Sequence, residues 1–194
     1  MIDTNSVFDL LNCGEGTVVE FKTARGGFPH SFWTTFSAFA NTDGGVIVLG
    51  VKEKNKQAVV DGLTKADVIA LKKQFWDVAN NKQKVSVPLL KEEEVHEEEI
   101  SGEGWVLVCE IPRARYDKRP VFLDGQPYGN TYKRRHEGDY RCTDDEVRQM
   151  FADANLKHGS EDARILKGYS MDDIDLATLH KYRRAYDNRH ENHP

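Results

Sequence analysis

The stretch of sequence that decides the fold runs from Gly14 to Glu53. It reads GEGTVVEFK from Gly14 to Lys22, SFWTTFSAFAN from Ser31 to Asn41, TDGG from Thr42 to Gly45 and VIVLGVKE from Val46 to Glu53. Polar and apolar residues alternate in VEFK, which places Val19 and Phe21 on one face and Glu20 and Lys22 on the other. This alternation predicts a half-buried strand.

A helix is predicted from Ser31 to Asn41, because Phe32, Phe36 and Phe39 recur at helical spacing, with Trp33 and Ala40 beside them. Ser31 stands in the N-cap position. Gly44 and Gly45 are both expected to adopt the positive φ of the reversal that ends the helix. The continuously apolar VIVLGV run then predicts a strand covered on both faces.

These motifs resemble those of a known family. The pattern ExxxxEFK, then AFANTDGG, then a strand ending in LGV, resembles the Schlafen-type AlbA_2 domain of bacterial DNA-binding regulators and of the Schlafen core. The later GNTYKRRHEG and TDDEVRQM resemble that domain's closing strand and helix. The resemblance covers roughly Phe8 to Ala154 and implies an α/β fold (α+β mixed), a twisted mixed sheet with flanking helices and a C-terminal helical extension.

The sequence predicts an AlbA_2-like domain over residues 1–156 and a linker, helix and polar tail over residues 157–194. Because AlbA_2 proteins are often longer, the resemblance suggests the N-terminal part of a larger regulator. The apolar positions of the last helix are candidate contacts for a homodimer or another protein: Ile174, Leu176, Leu179, Tyr182 and Tyr186.

Several further elements are predicted from pattern. Val7–Leu11 is expected to form a lead-in helix, and Thr64 with Asp67 to cap a helix that buries Val68, Leu71, Phe75 and Val78. Strands are expected at VSVPLL, EVHEEEI and WVLVCEI, with the glutamate-rich one at a solvated edge. PVFL and TYKRRH are expected to pair as a hairpin, followed by a helix capped by Thr143 and Glu146.

Composition narrows the class of protein. The net charge of −5 argues against a uniformly basic chain, but Arg113 to Arg141 holds eight Lys or Arg against four Asp or Glu. Three separated cysteines predict a reducing compartment without a structural zinc site. There is no apolar run long enough to span a bilayer and no signal peptide, so we expect a cytoplasmic protein without a membrane partner.

An acidic trio is the first candidate site. Glu15 and Glu20 flank the start of the first strand, and Glu53 follows a strand expected to pair with it. Carboxylates gathered in this way bind Mg²⁺ or Mn²⁺, and the metal could orient a water for phosphodiester cleavage. In Schlafen nucleases a similar trio is the ribonuclease site, although Glu53 replaces the usual Asp and follows Lys52. The alternative is structural: Glu20 pairs with Lys22 or a nearby arginine.

A basic set interleaved with tyrosines is the second candidate site, since cations neutralise phosphates and aromatic rings stack on bases. Its residues are Lys22, Arg25, Arg113, Arg115, Lys118, Arg119, Lys133, Arg134 and Arg135, with Tyr116, Tyr128 and Tyr132 among them. In the strand from Tyr132, Arg134 shares one face with Tyr132, and Lys133 and Arg135 share the other. Only part of this run is therefore expected to face a ligand.

Three functions remain open. The leading prediction is a nucleic-acid-binding domain of a bacterial transcriptional regulator, acting on DNA or RNA without a cofactor. The second is a nuclease dependent on Mg²⁺ or Mn²⁺, with the acidic trio as catalytic and metal-binding residues. The third is a protein-interaction or dimerisation domain.

Overall fold

The computed structural model describes residue 11 and residues 14–54, 57–155, 175 and 178–184. The chain divides into two compact units, Met1–Lys157 and His158–Pro194. In the second unit, residues 178–184 are helical, and the carboxylate of Asp175 accepts hydrogen bonds from the amide and hydroxyl of Thr178. Of the helix predicted over Val7–Leu11, only Leu11 is among the described residues. Three of the candidate dimer contacts, Ile174, Leu176 and Tyr186, also lie outside the described residues.

The first unit is a mixed α+β fold, as predicted. Its strands are β1 (Val19–Lys22), β2 (Gly45–Leu49), β3 (Val51–Lys54), β4 (Gln57–Val60), β5 (Val95–Ile100), β6 (Gly104–Ile111), β7 (Tyr132–Arg135) and β8 (Gly138–Arg141). Its helices are α1 (Phe32–Asn41), α2 (Lys65–Ala79) and α3 (Asp144–Asn155), and short 3₁₀ turns occur at Glu92–Glu94 and Tyr116–Lys118.

A four-stranded sheet in the order β1-β2-β6-β5 forms the centre of this unit. β1 runs parallel to β2, with Glu20 opposite Ile47, and the other neighbouring pairs are antiparallel. The glutamate-rich β5 lies at the edge, which confirms the prediction, because charge there opposes pairing with another sheet.

The VIVLGV run is not one strand. Gly50, with a φ of 96°, separates β2 from β3, and β3 pairs with β4 in a hairpin of its own. A Cβ at Gly50 would lie 2.9 Å from the side chain of Leu63, so both conformation and space require glycine.

Each face of the central sheet covers its own hydrophobic cluster. One cluster joins Ile47 and Leu49 of β2 to the aromatic face of α1 and to α2. The other joins Val46 and Val48, the alternate residues of β2, to the β3–β4 hairpin. The burial of β2 on both faces confirms what its continuously apolar sequence predicts.

The aromatic helix is buried as predicted. Phe32, Phe36 and Phe39 are at most 1 % exposed. The ring of Trp33 stacks on that of Phe75 of α2 at a centroid distance of 5.5 Å. Ser31 is the N-cap, although its side chain makes no capping hydrogen bond, whereas Thr64 and Asp67 form the capping box predicted for α2.

The turn after α1 corrects one prediction. Gly44 has the expected positive φ, 81°, but Gly45 does not. Gly45 is required for space instead, since a Cβ there would lie 2.7 Å from the ring of Phe39 and 2.8 Å from the carbonyl oxygen of Val18.

Two predicted strands are wrong. VSVPLL makes a single bridge, between Val85 and Leu123, because its apolar residues pack one by one against the first cluster rather than pairing along a strand. Residues Tyr132–Arg135 of TYKRRH pair with β8. PVFL forms isolated bridges instead, from Phe122 to Thr131 and from Leu123 to Val85. Positive φ at His136 allows the tight turn into β8.

Polar side chains of α1 bond the backbone of the segment that contains Val121 and Tyr132. The Asn41 amide donates to the carbonyls of Val121 and Tyr132 and accepts from the amide of Val121. The Ser37 hydroxyl donates to the carbonyl of Val121 and accepts from the amide of Tyr132. These buried bonds explain why a helix of the core carries polar residues at these positions. Within the described part of the chain, no helix has the length and apolar character needed to cross a membrane.

Candidate nucleic-acid interface

The loop from Arg113 to Arg119 presents the densest exposed group of arginines from the predicted basic set. It is fixed at its base because Ala114 is buried and its amide donates to the carbonyl of Ala40 at the end of α1. Its tip is closed by the 3₁₀ turn, in which the amide of Lys118 donates to the carbonyl of Arg115. The arginines therefore project from a well-anchored backbone.

A surface pocket of about 550 Å³ lies between this loop and α3. We call it the basic pocket, and it is lined by Arg113, Ala114, Arg115, Tyr116, Asp117, Arg119, Asp153 and Ala154. Its volume falls within the range of about 300–1,000 Å³ that is usual for ligand sites. Three guanidinium groups, two carboxylates and one phenol ring thus share one concavity.

Arg119 is fixed in the basic pocket by contacts with its own loop. Its Nε donates to the carbonyl of Ala114 at 2.8 Å, and its guanidinium lies 5.1 Å from the centre of the Tyr116 ring. Burial, and then the neighbouring charge of Arg113, lower the pKa of Arg119 below its ordinary value. It remains a cation at neutral pH, and the repulsion from Arg113 is of the kind that an anion would relieve.

The other two arginines of the basic pocket are only weakly neutralised. Arg113 lies 3.3 Å from Asp43, and Arg115 lies 3.3 Å from Asp117. The Arg115 side chain is 86 % exposed. Exposed ion pairs of this kind are worth about 0–1 kcal/mol, so a phosphate can compete for these arginines at little cost.

A second pocket, of about 510 Å³, borders the first and has the opposite charge. We call it the acidic pocket, and its lining includes Asp43, Glu93, Glu94 and Glu110, with Arg113 at the boundary. A polyanion would be drawn to one side of Arg113 and repelled from the other. The surface is therefore electrostatically polarised, although the protein as a whole is acidic.

The basic residues of β7 divide between interior and surface, as strand alternation predicts. Lys133 and Arg135 both contact the Glu146 carboxylate of α3, Arg135 at 3.5 Å. Arg134 points inward, and its side chain is only 5 % exposed. It pairs with Glu20 at 2.8 Å and with Asp139 at 2.9 Å, and it lies over the Phe39 ring. As placed, Arg134 is a structural cation rather than a phosphate contact.

Three basic residues remain, and they are also separated. Lys118 is exposed on the loop but does not line the basic pocket. Lys22 bonds the Glu20 carboxylate at 2.9 Å, and its side chain is 9 % exposed. Arg25 is exposed in the loop after β1. The predicted basic set is therefore not one surface: Lys22 and Arg134 belong to a charged cluster around Glu20, and the arginines of the basic pocket form a separate group.

The acidic trio lies near the edge of the sheet formed by β1. Glu15 accepts a hydrogen bond from the amide of Phe21, which folds the preceding loop back onto the strand. Glu20 gives one carboxylate oxygen to Lys22 and the other to Arg134. This is the structural alternative that the sequence left open for Glu20. Glu53 is exposed on β3, beyond the bend at Gly50.

The charges of the trio act on one another. Burial raises the pKa of Glu15, the Phe21 amide opposes this effect, and the negative charges of Glu20 and Glu53 raise it further. The carboxylates are thus close enough to repel. Among the residues that the structure describes, however, no three Asp, Glu, His or Cys side chains are grouped so that they could hold a metal ion. With Glu20 held by two cations, the trio as placed does not form a ligand set.

Sequence reasoning missed the acidic members of both groups. Asp139 of β8 accepts from Arg134 and from the hydroxyl of Thr35, and Asp153 of α3 lines the basic pocket. Neither belongs to a recognisable motif. A short polar strand and a solvent-facing helix position carry no signal of the distant residue that they meet.

Comparison with known proteins agrees with this fold. The chain is similar to the solution structure of the N-terminal domain of a RecG-related protein from Nitrosomonas europaea, described as a candidate ATP-dependent DNA helicase. The TM-score is 0.51 at 26 % identity, over 74 % of this chain and 95 % of that one. The crystal structure of the DIP2311 protein from Corynebacterium diphtheriae is more distant, with a TM-score of 0.44 and 17 % identity over 65 % of this chain and 25 % of that one. This second likeness is too weak to carry an argument.

Two family models match the sequence, whereas no curated protein does. A domain of unknown function, DUF8451, matches residues 148–194. The model described as Schlafen, AlbA_2 matches residues 15–143, which is more than half of the chain and includes the cluster around Glu20 and the arginines of the basic pocket. The protein therefore belongs to the Schlafen AlbA_2 family.

Proposed function

We propose that this protein is a nucleic-acid-binding domain of a regulator and that it contacts phosphates through the basic pocket. The observation that carries the proposal is the convergence of Arg113, Arg115 and Arg119 on one anchored concavity. Guanidinium groups match phosphate oxygens in geometry as well as in charge. Binding of this kind requires no cofactor.

Family and neighbour support the same reading. The chain shares its AlbA_2 domain with the Schlafen family, and the similar N-terminal domain belongs to a protein described as related to a DNA helicase. The acidic pocket constrains the path of a bound strand, because its carboxylates would repel phosphates that extend past Arg113 into that pocket.

Fluorescence anisotropy with labelled DNA and RNA tests this proposal. Arg113→Gln and Arg115→Gln remove charge from exposed side chains, so they should weaken binding without unfolding the protein. Lys73→Gln is the matched control, since Lys73 is exposed on α2, which lines neither pocket. Binding that is lost equally in all three variants, or in none, would contradict the proposal.

A metal-dependent nuclease is the second candidate. In its favour, burial raises the pKa of Glu15, and the charges of Glu20 and Glu53 lie close enough to raise it further. A divalent cation would relieve this repulsion. The ion pairs of Glu20 oppose it. Mg²⁺ or Mn²⁺ would bind only if Glu20 exchanged one of these partners, so we rank cleavage below binding.

Cleavage is tested on a denaturing gel with RNA or DNA and Mn²⁺, with and without EDTA. Glu53→Gln is the informative variant, because Glu53 is exposed and its loss leaves the Glu20 ion pairs intact. Products that disappear with EDTA and with Glu53→Gln would establish the nuclease. Substrate that stays intact in every lane would leave only binding.

A further inference from the structure

We infer that the basic pocket receives a single unpaired nucleotide, with its base on the Tyr116 ring and its phosphate on the arginines. This inference rests on the proposed function and goes beyond it, because phosphate contact alone would accept a duplex equally well. It makes the protein selective for single-stranded nucleic acid.

The Tyr116 side chain is largely exposed beside the arginines of the basic pocket. It is 64 % exposed, although Arg119 lies over its ring. Tyr128 and Tyr140 are also exposed, at 48 % and 55 %, but Tyr116 differs from both because it lines the basic pocket beside three arginines. Arg119 braces the ring while most of its surface stays accessible to a stacking partner.

The residues that line the basic pocket match the chemical parts of a nucleotide. A nucleotide carries a flat base, hydroxyl and amino donors, and an anionic phosphate. The basic pocket offers the Tyr116 ring for the base, the Asp153 carboxylate for the hydroxyl or amino donors, and arginines for the phosphate. Stacking on an aromatic ring combined with arginine contacts to the backbone is typical of single-strand recognition.

Hydrogen bonds fix the turn that carries Tyr116 and the Arg119 side chain. Tyr116 begins the 3₁₀ turn, and the amide of Arg119 donates to its carbonyl at 3.2 Å. The Nε of Arg119 is already held by the carbonyl of Ala114. The Tyr116 backbone and the Arg119 guanidinium are thus held in place before a ligand arrives, which lowers the conformational entropy lost on binding.

A base inside a duplex is stacked on both sides and cannot reach Tyr116. The inference therefore predicts that a short labelled single strand binds more tightly than the same strand annealed to its complement. Tyr116→Ala should weaken single-strand binding by about 5- to 150-fold, the usual range for one stacked base. Tyr116→Phe keeps the ring and should bind nearly as well as the wild type.

Two controls separate stacking from charge. Tyr140→Ala removes another exposed tyrosine, on β8, that does not line the basic pocket, and it should leave binding unchanged. A strand of abasic sites retains the phosphates, so Tyr116→Ala should not change its affinity. A free nucleoside monophosphate used as competitor tells whether one nucleotide suffices or whether the strand is needed.

The outcomes distinguish this inference from the proposed function. Loss of binding with Tyr116→Ala only for strands that carry bases supports the inference. Equal affinity for single strand and duplex, together with no effect of Tyr116→Ala, would overturn it while the phosphate-binding proposal stands. Absence of binding to any nucleic acid at low salt would overturn both.

Discussion

Arg134 and Glu20 form an ion pair inside the domain, with 2.8 Å between Nη2 of the arginine and Oε2 of the glutamate. The same guanidinium bonds Asp139 and the carbonyl of Gly16, so one side chain joins β7, β8, β1 and the loop before β1. Its Nε is buried without a hydrogen-bond partner. Burying such a charge is tolerable only because two carboxylates face it.

Replacing Arg134 should therefore destabilise the fold. Arg134→Met leaves Asp139 without its cation and Glu20 with Lys22 alone. We expect a loss of up to about 3–5 kcal/mol, the cost of breaking a buried pair outright. Urea denaturation of Arg134→Met, Glu20→Gln and the double variant measures the loss. The double variant should lose less than the two single variants together, and strict additivity would show that the pair is not coupled.

The role of Arg134 shows where sequence reasoning stopped. Strand alternation correctly placed it on the face opposite Lys133, but nothing local to β7 reveals that this face meets Glu20 and Asp139. Periodicity was sufficient to predict α1 and α2. One predicted position of α2 is wrong, because the buried face continues from Phe75 to Ala79 and leaves Val78 only partly buried. Periodicity failed at VSVPLL, which is apolar but does not form a strand. It also missed β8, which pairs with β7 although its residues are mostly polar.

The same limit applies to the candidate site. The arginines of the basic pocket were found from composition, since they are clustered in sequence between Arg113 and Arg119. Composition could not show that this cluster is separate from Lys22 and Arg134, because the separation depends on which strands are adjacent. The acidic trio is near in space as the motif implies, but the sequence could not show that Glu20 is held by cations.

Replacing Asn41 should also lower the free energy of unfolding. Asn41→Leu removes three hydrogen bonds to Val121 and Tyr132. The Val121 carbonyl keeps the bond from the Ser37 hydroxyl, but the Val121 amide loses its acceptor. We expect a loss of about 1–3 kcal/mol, the usual cost of one buried group left unsatisfied. Asn81→Ala is the control, because Asn81 is exposed and its side chain makes one local bond. Equal losses in urea denaturation would refute this role for Asn41.

Gly45 should not accept a side chain. Gly45→Ala places a methyl group against the Phe39 ring and the carbonyl of Val18, and overpacking of this kind costs about 1–3 kcal/mol. Gly26→Ala is the matched control, since a Cβ there meets nothing within 4 Å. Thermal denaturation should show a lower midpoint for Gly45→Ala alone. A midpoint equal to that of the wild type would contradict the close packing.

Glu15 should make stability depend on pH. Its pKa in the folded protein is raised above the ordinary value of 4.5, mainly by burial. The stability associated with its protonation is therefore fully present below pH 4.5 and is lost as the pH rises through the raised native pKa. Glu15→Gln stays neutral and can still accept from the Phe21 amide, so it should be more stable than the wild type at neutral pH.

Urea denaturation at several pH values measures this difference. The advantage of Glu15→Gln should shrink as the pH falls toward 4.5. Glu99→Gln, which removes an exposed carboxylate from the edge strand β5, controls for the change in net charge. A wild type that is more stable than Glu15→Gln at neutral pH would show that the Glu15 charge is stabilised rather than strained.

The most direct test of phosphate binding by the basic pocket is the salt dependence of single-strand affinity. The logarithm of the binding constant should fall linearly with the logarithm of salt concentration between about 50 and 200 mM. In the double variant Arg113→Gln/Arg115→Gln the slope should be shallower by about 1.4, which corresponds to two lost phosphate contacts. Lys73→Gln should keep the wild-type slope. An unchanged slope in the double variant, or affinity that does not depend on salt, would contradict the account.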